Sequence, residues 1–229
     1  MPLVLQVKHQ ALQIYNRVSS RREKNPYEVA QKLANLKMSQ TYSGVVTYHT
    51  QQRIKKAVNL LLQISPKEWK FNAATGKYIH HQLSFITLTI PHEGYTVHAG
   101  EGYIRLLKPF IRVMHRLGYM QHYLWKYEYQ QRGQGHWHIT TNDVIPYQKI
   151  QIIWNDICKK EGLYDLGNNR NKGWEANSTD IHAVQKLDDI EAYLVKYLAK
   201  DEQNEQSTKG KIWGCSQSLK QKSLYTTRS

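Results

Sequence analysis

The feature that most constrains the fold is an alternating segment, Tyr123–Tyr129, followed after a short turn by residues 136–140. Along Tyr123–Tyr129, aromatic residues at odd positions alternate with non-aromatic ones such as Lys126 and Glu128. This two-residue period is typical of a strand with two different faces. The intervening residues 130–134 contain a glycine and reverse the chain direction. The two segments therefore predict an antiparallel pair of strands in the middle of the chain.

Helical and strand patterns interleave irregularly over the rest of the chain. Apolar residues at helical spacing predict helices over residues 26–38, 50–64, 103–117, 147–161 and 188–200. Strand patterns flanked by turn residues predict a hairpin over residues 69–79 and strands over residues 84–90 and 179–186. This order favours an α+β fold, an antiparallel sheet with helices packed mainly on one face.

Three regions are expected along the chain. Residues 1–66 are predicted to be a basic, helical N-terminal extension. Residues 67–203 are predicted to form the central α+β domain. Residues 204–229 are predicted to be a polar, basic tail with one ordered piece around Ile212 and Trp213.

The charge balance indicates the kind of partner. The 229 residues include 32 lysines and arginines against 18 acidic residues, a formal net charge of +14. A polyanion is the natural partner, and nucleic acid is the commonest polyanion. No apolar run is long enough to cross a bilayer and no secretory signal is recognisable, so membrane partners are not expected. Two widely spaced cysteines exclude a disulfide scaffold and favour a cytoplasmic setting.

A His-Trp-His segment is the first candidate site. His136 and His138 are two apart in a predicted strand and share one face, whereas Trp137 points to the other. Glu128 lies on the neighbouring strand, and the strand register decides whether it shares the histidine face. Two imidazoles and a carboxylate could hold Mn²⁺, Mg²⁺ or Zn²⁺, and nitrogen ligands favour the transition metals. The alternative is that the histidines are purely structural.

A helix with two tyrosines is the second candidate site. Tyr193 and Tyr197 are four apart and therefore neighbours on one helical face. Lys196 and Lys200 each follow a tyrosine by three positions, so an ammonium can stand beside each phenol and stabilise its phenolate. Such a phenolate is a nucleophile suited to phosphate. The alternative is that the tyrosines belong to the apolar stripe of an amphipathic helix.

Three segments, taken in order, resemble the HUH endonuclease superfamily, and within it the rolling-circle replication initiators. Residues 85–89, FITLT, resemble a strand motif of the central sheet. His136-Trp137-His138 resembles the metal motif after which the superfamily is named. Residues 193–200 resemble the tyrosine motif in its two-tyrosine form, which is found in initiators of small bacteriophages. The resemblance covers about half of the chain and implies that residues 67–203 are an HUH endonuclease domain.

The resemblance implies a five-stranded antiparallel palm, similar to an RNA-recognition or ferredoxin-like fold, that binds Mn²⁺ or Mg²⁺. Its implied metal ligands are Glu128, His136 and His138. Its implied catalytic residues are the nucleophiles Tyr193 and Tyr197, with Lys196 and Lys200 as their helpers. These residues would nick a single-stranded or hairpin origin, leave a 5′-phosphotyrosine and a free 3′-OH for rolling-circle replication, and rejoin strands at termination.

Additional DNA contacts are expected from Arg132 in the turn and from Lys186 at the end of the last predicted strand. The chain contains no phosphate-binding loop of the kind that helicases carry. A host helicase is therefore the expected partner for unwinding, and the cytoplasm of a bacterial host, carrying a phage or plasmid, is the expected location.

Other functions remain open at this point. A single-strand transposase or a plasmid relaxase would use the same chemistry. Two histidines and a carboxylate also form non-haem iron sites, although such a site explains neither the tyrosines nor the charge. A non-enzymatic nucleic-acid-binding protein would use exposed tyrosines for base stacking.

Overall fold

The computed structural model describes residues 46–91, 97–129, 135–164, 178–184, 194 and 210–220, together with the backbone of residues 3–8 and 11–16. The helices are α1 (Tyr48–Gln63), α2 (Ala99–Gly102), a π-helical stretch (Tyr103–Leu107), α3 (Lys108–Arg116), α4 (Tyr147–Lys160) and a 3₁₀ turn (Gln217–Lys220). The strands are β1 (Leu3–Lys8), β2 (Ala11–Asn16), β3 (Glu68–Asn72), β4 (Lys77–His81), β5 (Ser84–Thr89), β6 (Tyr123–Tyr129), β7 (Gly135–Thr141), β8 (Thr179–Ala183) and β9 (Trp213–Cys215).

A five-stranded antiparallel sheet organises these elements, in the order β8-β5-β7-β6-β9. The predicted α+β fold is confirmed at this level, and β6 and β7 form the predicted antiparallel pair. β5 lies between β7 and β8 and is buried along most of its length, as its β-branched and aromatic residues favour. The predicted helices and strands between residues 50 and 161 all form, with boundaries shifted by a few residues.

One face of the sheet carries the main aromatic core. Trp137 on β7 is fully buried and packs edge-on against Trp154 of α4, which in turn packs against Phe110 of α3. Gly102 permits this close approach, because a Cβ at its position would lie 2.7 Å from Cζ2 of Trp137. The helices between β5 and β8 therefore cover the face on which Trp137 lies, as the alternation predicts.

Helix α1 departs from the prediction that helices lie mainly on one face. Its Arg53 guanidinium lies 5.5 Å from the ring centroid of Trp213. Trp213 is paired with Lys126 and so belongs to the face opposite Trp137. Helix α1 thus packs at the β9 edge, on the side of the histidines, with Ile54 buried beneath it. The Thr47 side chain caps α1 by accepting from the Thr50 amide.

The prediction of a helical N-terminal extension is confirmed in one part and wrong in another. Helix α1 confirms the prediction over residues 50–64. β1 and β2 instead form an antiparallel hairpin, in which Lys8 pairs with Ala11. Apolar and polar residues alternate only over residues 5–8, and residues 11–16 show no two-residue period, so the pairing of the two segments identifies them as strands. The helix predicted over residues 26–38 lies outside the described residues.

The ordered piece predicted near Ile212 and Trp213 is confirmed, and it is part of the central sheet rather than of a separate tail. β9 supplies the fifth strand by pairing with the outer edge of β6. A three-residue strand, Trp-Gly-Cys, has no detectable period, so only its pairing partner reveals it. The proposed boundaries at residues 66 and 203 stay predictions.

Candidate metal centre

The register of β6 and β7 decides which side chains share a face. Glu128 is directly opposite His136, and Lys126 is directly opposite His138. Directly paired residues in an antiparallel sheet project to the same side. The carboxylate therefore stands on the histidine face, which the sequence had left open.

The three predicted ligands converge on one point. The Glu128 Oε2 atom lies 3.3 Å from Nε2 of His138 and 3.6 Å from Nε2 of His136. One ligand atom from each of the three residues lies within 4.8 Å of the others. All three side chains are largely withdrawn from solvent, with 8–11% of their surface exposed. The group could therefore hold one cation in common.

The hydrogen bonding of His136 fits such a cation. Within the described part of the chain, both of its ring nitrogens are buried and have no hydrogen-bond partner. A buried, unpaired imidazole nitrogen is costly, and a bound ion would remove that cost. Two imidazole nitrogens and one carboxylate oxygen suit a divalent transition metal and leave coordination positions open for substrate. The residues present thus fit the expected ion.

His138 is held in the orientation that a ligand needs. Its Nδ1 lies 3.2 Å from Oγ1 of Thr87 on β5, and its Nε2 points toward Glu128. Metal coordination through Nε2 requires the proton on Nδ1, and the oxygen of the Thr87 hydroxyl can accept a hydrogen bond from Nδ1–H. The ring also stacks on Phe85, with 5.3 Å between centroids. Both contacts come from β5, the neighbouring strand.

Lys126 completes the charge arrangement. Its Nζ lies 2.6 Å from Oε1 of Glu128, and both side chains are buried. Burial alone would raise the pKa of Glu128, but contacts with His136 and His138 and the charge of Lys126 outweigh burial and hold that pKa below its usual range. Burial is also the main cause that lowers the pKa of His138. Near neutral pH the carboxylate is therefore ionised and the His138 imidazole neutral, which are the forms that bind metal.

The other histidines that the structure describes do not join this cluster. His81 is buried and His80 is exposed on β4, as expected for adjacent strand residues. His182 on β8 shares the face of the metal ligands and lies beside Phe85, but its side chain is 55% exposed. Among the described residues, only Glu128, His136 and His138 form a candidate metal cluster.

Comparison with protein families supplies independent information. The model of the family described as replication-associated protein ORF2/G2P matches residues 83–202, just over half of the chain. The chain belongs to the replication-associated protein ORF2/G2P family. This membership supports a role as an initiator of rolling-circle replication, and DNA is the partner expected of such a protein. No curated protein and no solved structure matches the chain.

The ORF2/G2P match covers the metal centre but not the whole sheet. Strands β5 to β8 lie inside the matched residues, and so do all three candidate metal ligands. Helix α1, the β3–β4 hairpin and β9 lie outside them. The central family domain of this chain is therefore completed by a strand from beyond the matched segment.

The other predicted site residues of this ORF2/G2P member lie outside the described residues: Tyr193, Lys196, Tyr197, Lys200, Arg132 and Lys186. The structure describes one residue of the predicted tyrosine helix, Leu194, which is helical and fully buried. The catalytic and DNA-binding assignments therefore stay predictions. No helix in the described part of the chain is long and apolar enough to span a membrane.

Sequence reasoning missed two residues of the site. Lys126 is two residues from Glu128 on β6, and the two-residue period places both on one face, but the ion pair between them was not predicted. Thr87 lies within the predicted central strand, but only the pairing of Thr87 with His138 reveals its role.

Proposed function

We propose that this protein initiates rolling-circle replication by nicking single-stranded origin DNA, with a tyrosine as nucleophile, in the manner of the HUH endonucleases. The observation that carries the proposal is the buried group of Glu128, His136 and His138, which lies on adjacent strands inside the family-matched segment. The net charge of +14 supports a polyanionic substrate.

The triad supplies a place for a divalent ion, Mn²⁺ or Mg²⁺, beside the scissile phosphate. When bound, the ion acts as a Lewis acid that polarises the phosphate and offsets the charge of the transition state. Lys126 keeps Glu128 ionised, and Thr87 keeps the His138 ring in the ligand orientation. These contacts preorganise the site before DNA arrives.

The bond-breaking step is assigned to the tyrosine helix. The phenolate oxygen of Tyr193 or Tyr197 attacks the phosphorus, and the bond between phosphorus and the 3′ oxygen breaks. The phosphate remains on the tyrosine as a 5′-phosphotyrosine, and the departing oxygen takes up a proton to give a free 3′-OH. Lys196 and Lys200 stabilise the phenolate. No water is consumed, so the reverse reaction rejoins a strand, and the second tyrosine can act while the first holds DNA.

The test is adduct formation by the full-length protein. Labelled single-stranded DNA from the replicon that carries the gene is incubated with Mn²⁺ or with EDTA and then separated on a denaturing gel. We expect a covalent protein–DNA band in Mn²⁺ only, absent from the Tyr193→Phe/Tyr197→Phe double variant. The matched control is Tyr78→Phe, which changes an exposed tyrosine on the β3–β4 hairpin and should leave the band intact.

The metal ligands are tested in the same assay. We expect His136→Ala/His138→Ala to form no adduct while retaining salt-sensitive DNA binding, because the phosphate contacts of the basic surface remain. His80→Ala, at an exposed histidine of β4, is the control. Normal adduct yield from the double histidine variant would show that the metal centre is misassigned. Binding without adduct on either strand of the replicon would instead support a non-enzymatic DNA-binding protein.

A further inference from the structure

Two segments outside the family match meet at the β9 edge of the sheet. Helix α1 precedes the matched residues, whereas β9 and the 3₁₀ turn follow them. Between these segments lies a cavity of about 440 Å³. The cavity is thus built by parts of the chain that are about 150 residues apart and that the family domain does not contain.

The lining of this cavity is cationic. Arg53 and Lys56 reach it from α1, and Lys211 and Lys220 reach it from the C-terminal segment. No carboxylate lines it, and no ion pair within the described part of the chain involves any of the four basic residues. By contrast, Arg105 on the core side of the molecule is paired with Glu101 and Glu161.

Aromatic rings, rather than acidic groups, hold two of these cations in place. The Arg53 guanidinium lies over Trp213, and the Lys211 ammonium lies 5.4 Å from the ring centroids of both Tyr103 and Trp125. Gly214 leaves room for this ammonium, because a Cβ there would lie 2.9 Å from Nζ of Lys211. Cation–π contact positions a charge without neutralising it. The four cations therefore remain available to an anion.

The electrostatics of Lys211 agree with this picture. Burial is the main cause that lowers its pKa, and the positive charges of Lys220 and Arg53 lower it further. The positive charges of these residues repel one another. A bound polyanion would reduce this repulsion and offset the desolvation cost of the buried charge.

The cavity lies close to the metal centre. Trp213, in its lining, pairs with Lys126, and Lys126 pairs with His138 on the next strand. Two strand spacings, roughly 10 Å, separate the backbone of β9 from that of β7. Trp213 and the metal ligands lie on the same face of the sheet, whereas the Lys211 ammonium lies beside Trp125 on the opposite face. A DNA strand that contacts both places therefore passes over the β9 edge of the sheet.

We propose that the cavity at the β9 edge binds phosphodiester groups of the DNA strand presented to the metal centre. It anchors the backbone through Arg53, Lys56, Lys211 and Lys220. The segments that flank the family domain thereby supply the substrate anchor. This inference rests on the proposed function for its substrate, and it assigns to that substrate a binding site outside the family domain.

The main experiment compares two variants that lose equal charge. Arg53→Gln/Lys56→Gln/Lys220→Gln removes the exposed cations of the cavity. Lys108→Gln/Arg112→Gln/Lys160→Gln removes three exposed cations from α3 and α4, on the opposite side of the sheet. Both full-length variants have a formal net charge three below the native +14. Thermal unfolding of each verifies that the fold is retained.

Single-stranded DNA binding is measured for both variants across a salt series. Losing three phosphate contacts should flatten the slope of log K against log salt by about 2 and weaken binding on the order of 100-fold at 0.1 M salt. The control should lose less than about threefold, because its charges act only through the screened general field. Equal losses in the two variants would overturn the proposal.

A labelling experiment identifies the source of the phosphate. Cys215 lines the cavity and is half-buried, whereas Cys158 is fully buried, so a maleimide reports selectively on Cys215. We expect a single-stranded oligonucleotide to slow the labelling of Cys215 and inorganic phosphate at the same phosphate concentration to have little effect. Equal protection by inorganic phosphate would indicate a small-anion site instead. No protection by either would show that DNA does not occupy the cavity.

The two proposals fail in different ways. If the native protein forms no adduct but the cavity variant alone loses DNA binding, the nuclease function fails and the anchor stands. If the native protein forms the adduct but the cavity and control variants bind DNA equally, the anchor alone fails.

Discussion

The two faces of the central sheet use the same strands for opposite purposes. Toward α3 and α4, β7 buries Trp137 against an aromatic core. Toward the other side, the same strand presents His136 and His138, which meet Glu128 from β6. On this strand, Trp137 packs in the core and its two neighbours form the candidate metal centre, because successive side chains of a strand point to opposite faces.

The polar face near the metal centre is buried almost as deeply as the apolar face. The two faces differ in which side chains they bury, and this difference affects stability. Lys126 and Glu128 form an ion pair that is nearly inaccessible to solvent. A buried ion pair contributes little net stability, and buried imidazole nitrogens that make no hydrogen bond to a described residue, such as those of His136, cost stability. The comparison teaches that the apolar face holds the fold together, whereas the polar face is arranged for a ligand.

The largest effect is expected from the apolar face. Trp137→Ala should lower the free energy of unfolding by about 3–5 kcal/mol, because it leaves a large cavity among packed rings. The Mn²⁺ affinity of the folded fraction should remain, since Trp137 points away from the ligands. Urea unfolding in EDTA and calorimetric Mn²⁺ titration measure the two quantities. Trp137→Phe is the milder variant if the alanine variant does not fold.

The matched change on the polar face is His136→Ala. It should leave the free energy of unfolding in EDTA within about 1 kcal/mol of the native value, because the ring it removes makes no hydrogen bond to any described residue and its contact with the Glu128 carboxylate is long, at 3.6 Å. It should abolish Mn²⁺ binding. A loss of stability as large as that of Trp137→Ala would break the distinction between the two faces.

An intermediate effect is expected from acid, at a histidine outside the metal centre. Burial chiefly, and the charge of Lys70 in addition, lower the pKa of His81 to about 4, against the opposing effect of Asp143. Below pH 6.5 the unfolded chain is protonated at this position, whereas the native protein becomes protonated there only near pH 4. The free energy of unfolding should therefore fall by up to about 3 kcal/mol as the pH drops through this window.

Urea unfolding at several pH values between 7 and 4, in EDTA, measures this decline. His81→Gln should remove the part of the decline that His81 causes and leave the part caused by His138, whose pKa is also lowered. Superimposable pH profiles for the native protein and His81→Gln would contradict the prediction. The comparison separates a histidine buried by packing from one buried for a ligand.

The smallest effect is expected at Thr87, which supports the metal centre without joining it. Thr87→Val removes the acceptor for Nδ1 of His138 and should weaken Mn²⁺ binding by about 10–100-fold. Thr87→Ser retains the hydroxyl and should bind Mn²⁺ nearly as well as the native protein. Calorimetric titration measures both variants. Equal affinity in the valine variant would mean that Phe85 stacking alone orients the ring.

Local patterns were sufficient for the elements that repeat a period. Alternation on β6 predicted which residues share a face, and helical spacing predicted α1, α3 and α4. The same rules missed β9, because three residues contain no period to detect. They also missed β1 and β2, which were predicted to be part of a helical extension, because a two-residue period is present only over residues 5–8.

The sequence by itself determined the α+β class, the identity of the candidate ligands and the separation of Trp137 from its two histidine neighbours. These features follow from side-chain alternation within single strands, which is a local property of the backbone. Only the tertiary structure decided that Glu128 faces His136, that Thr87 supports His138 and that Arg53 meets Lys211 at one cavity. Strand register and the packing of distant segments are set by the whole core, since a shift of one residue would turn every side chain of a strand to the other face.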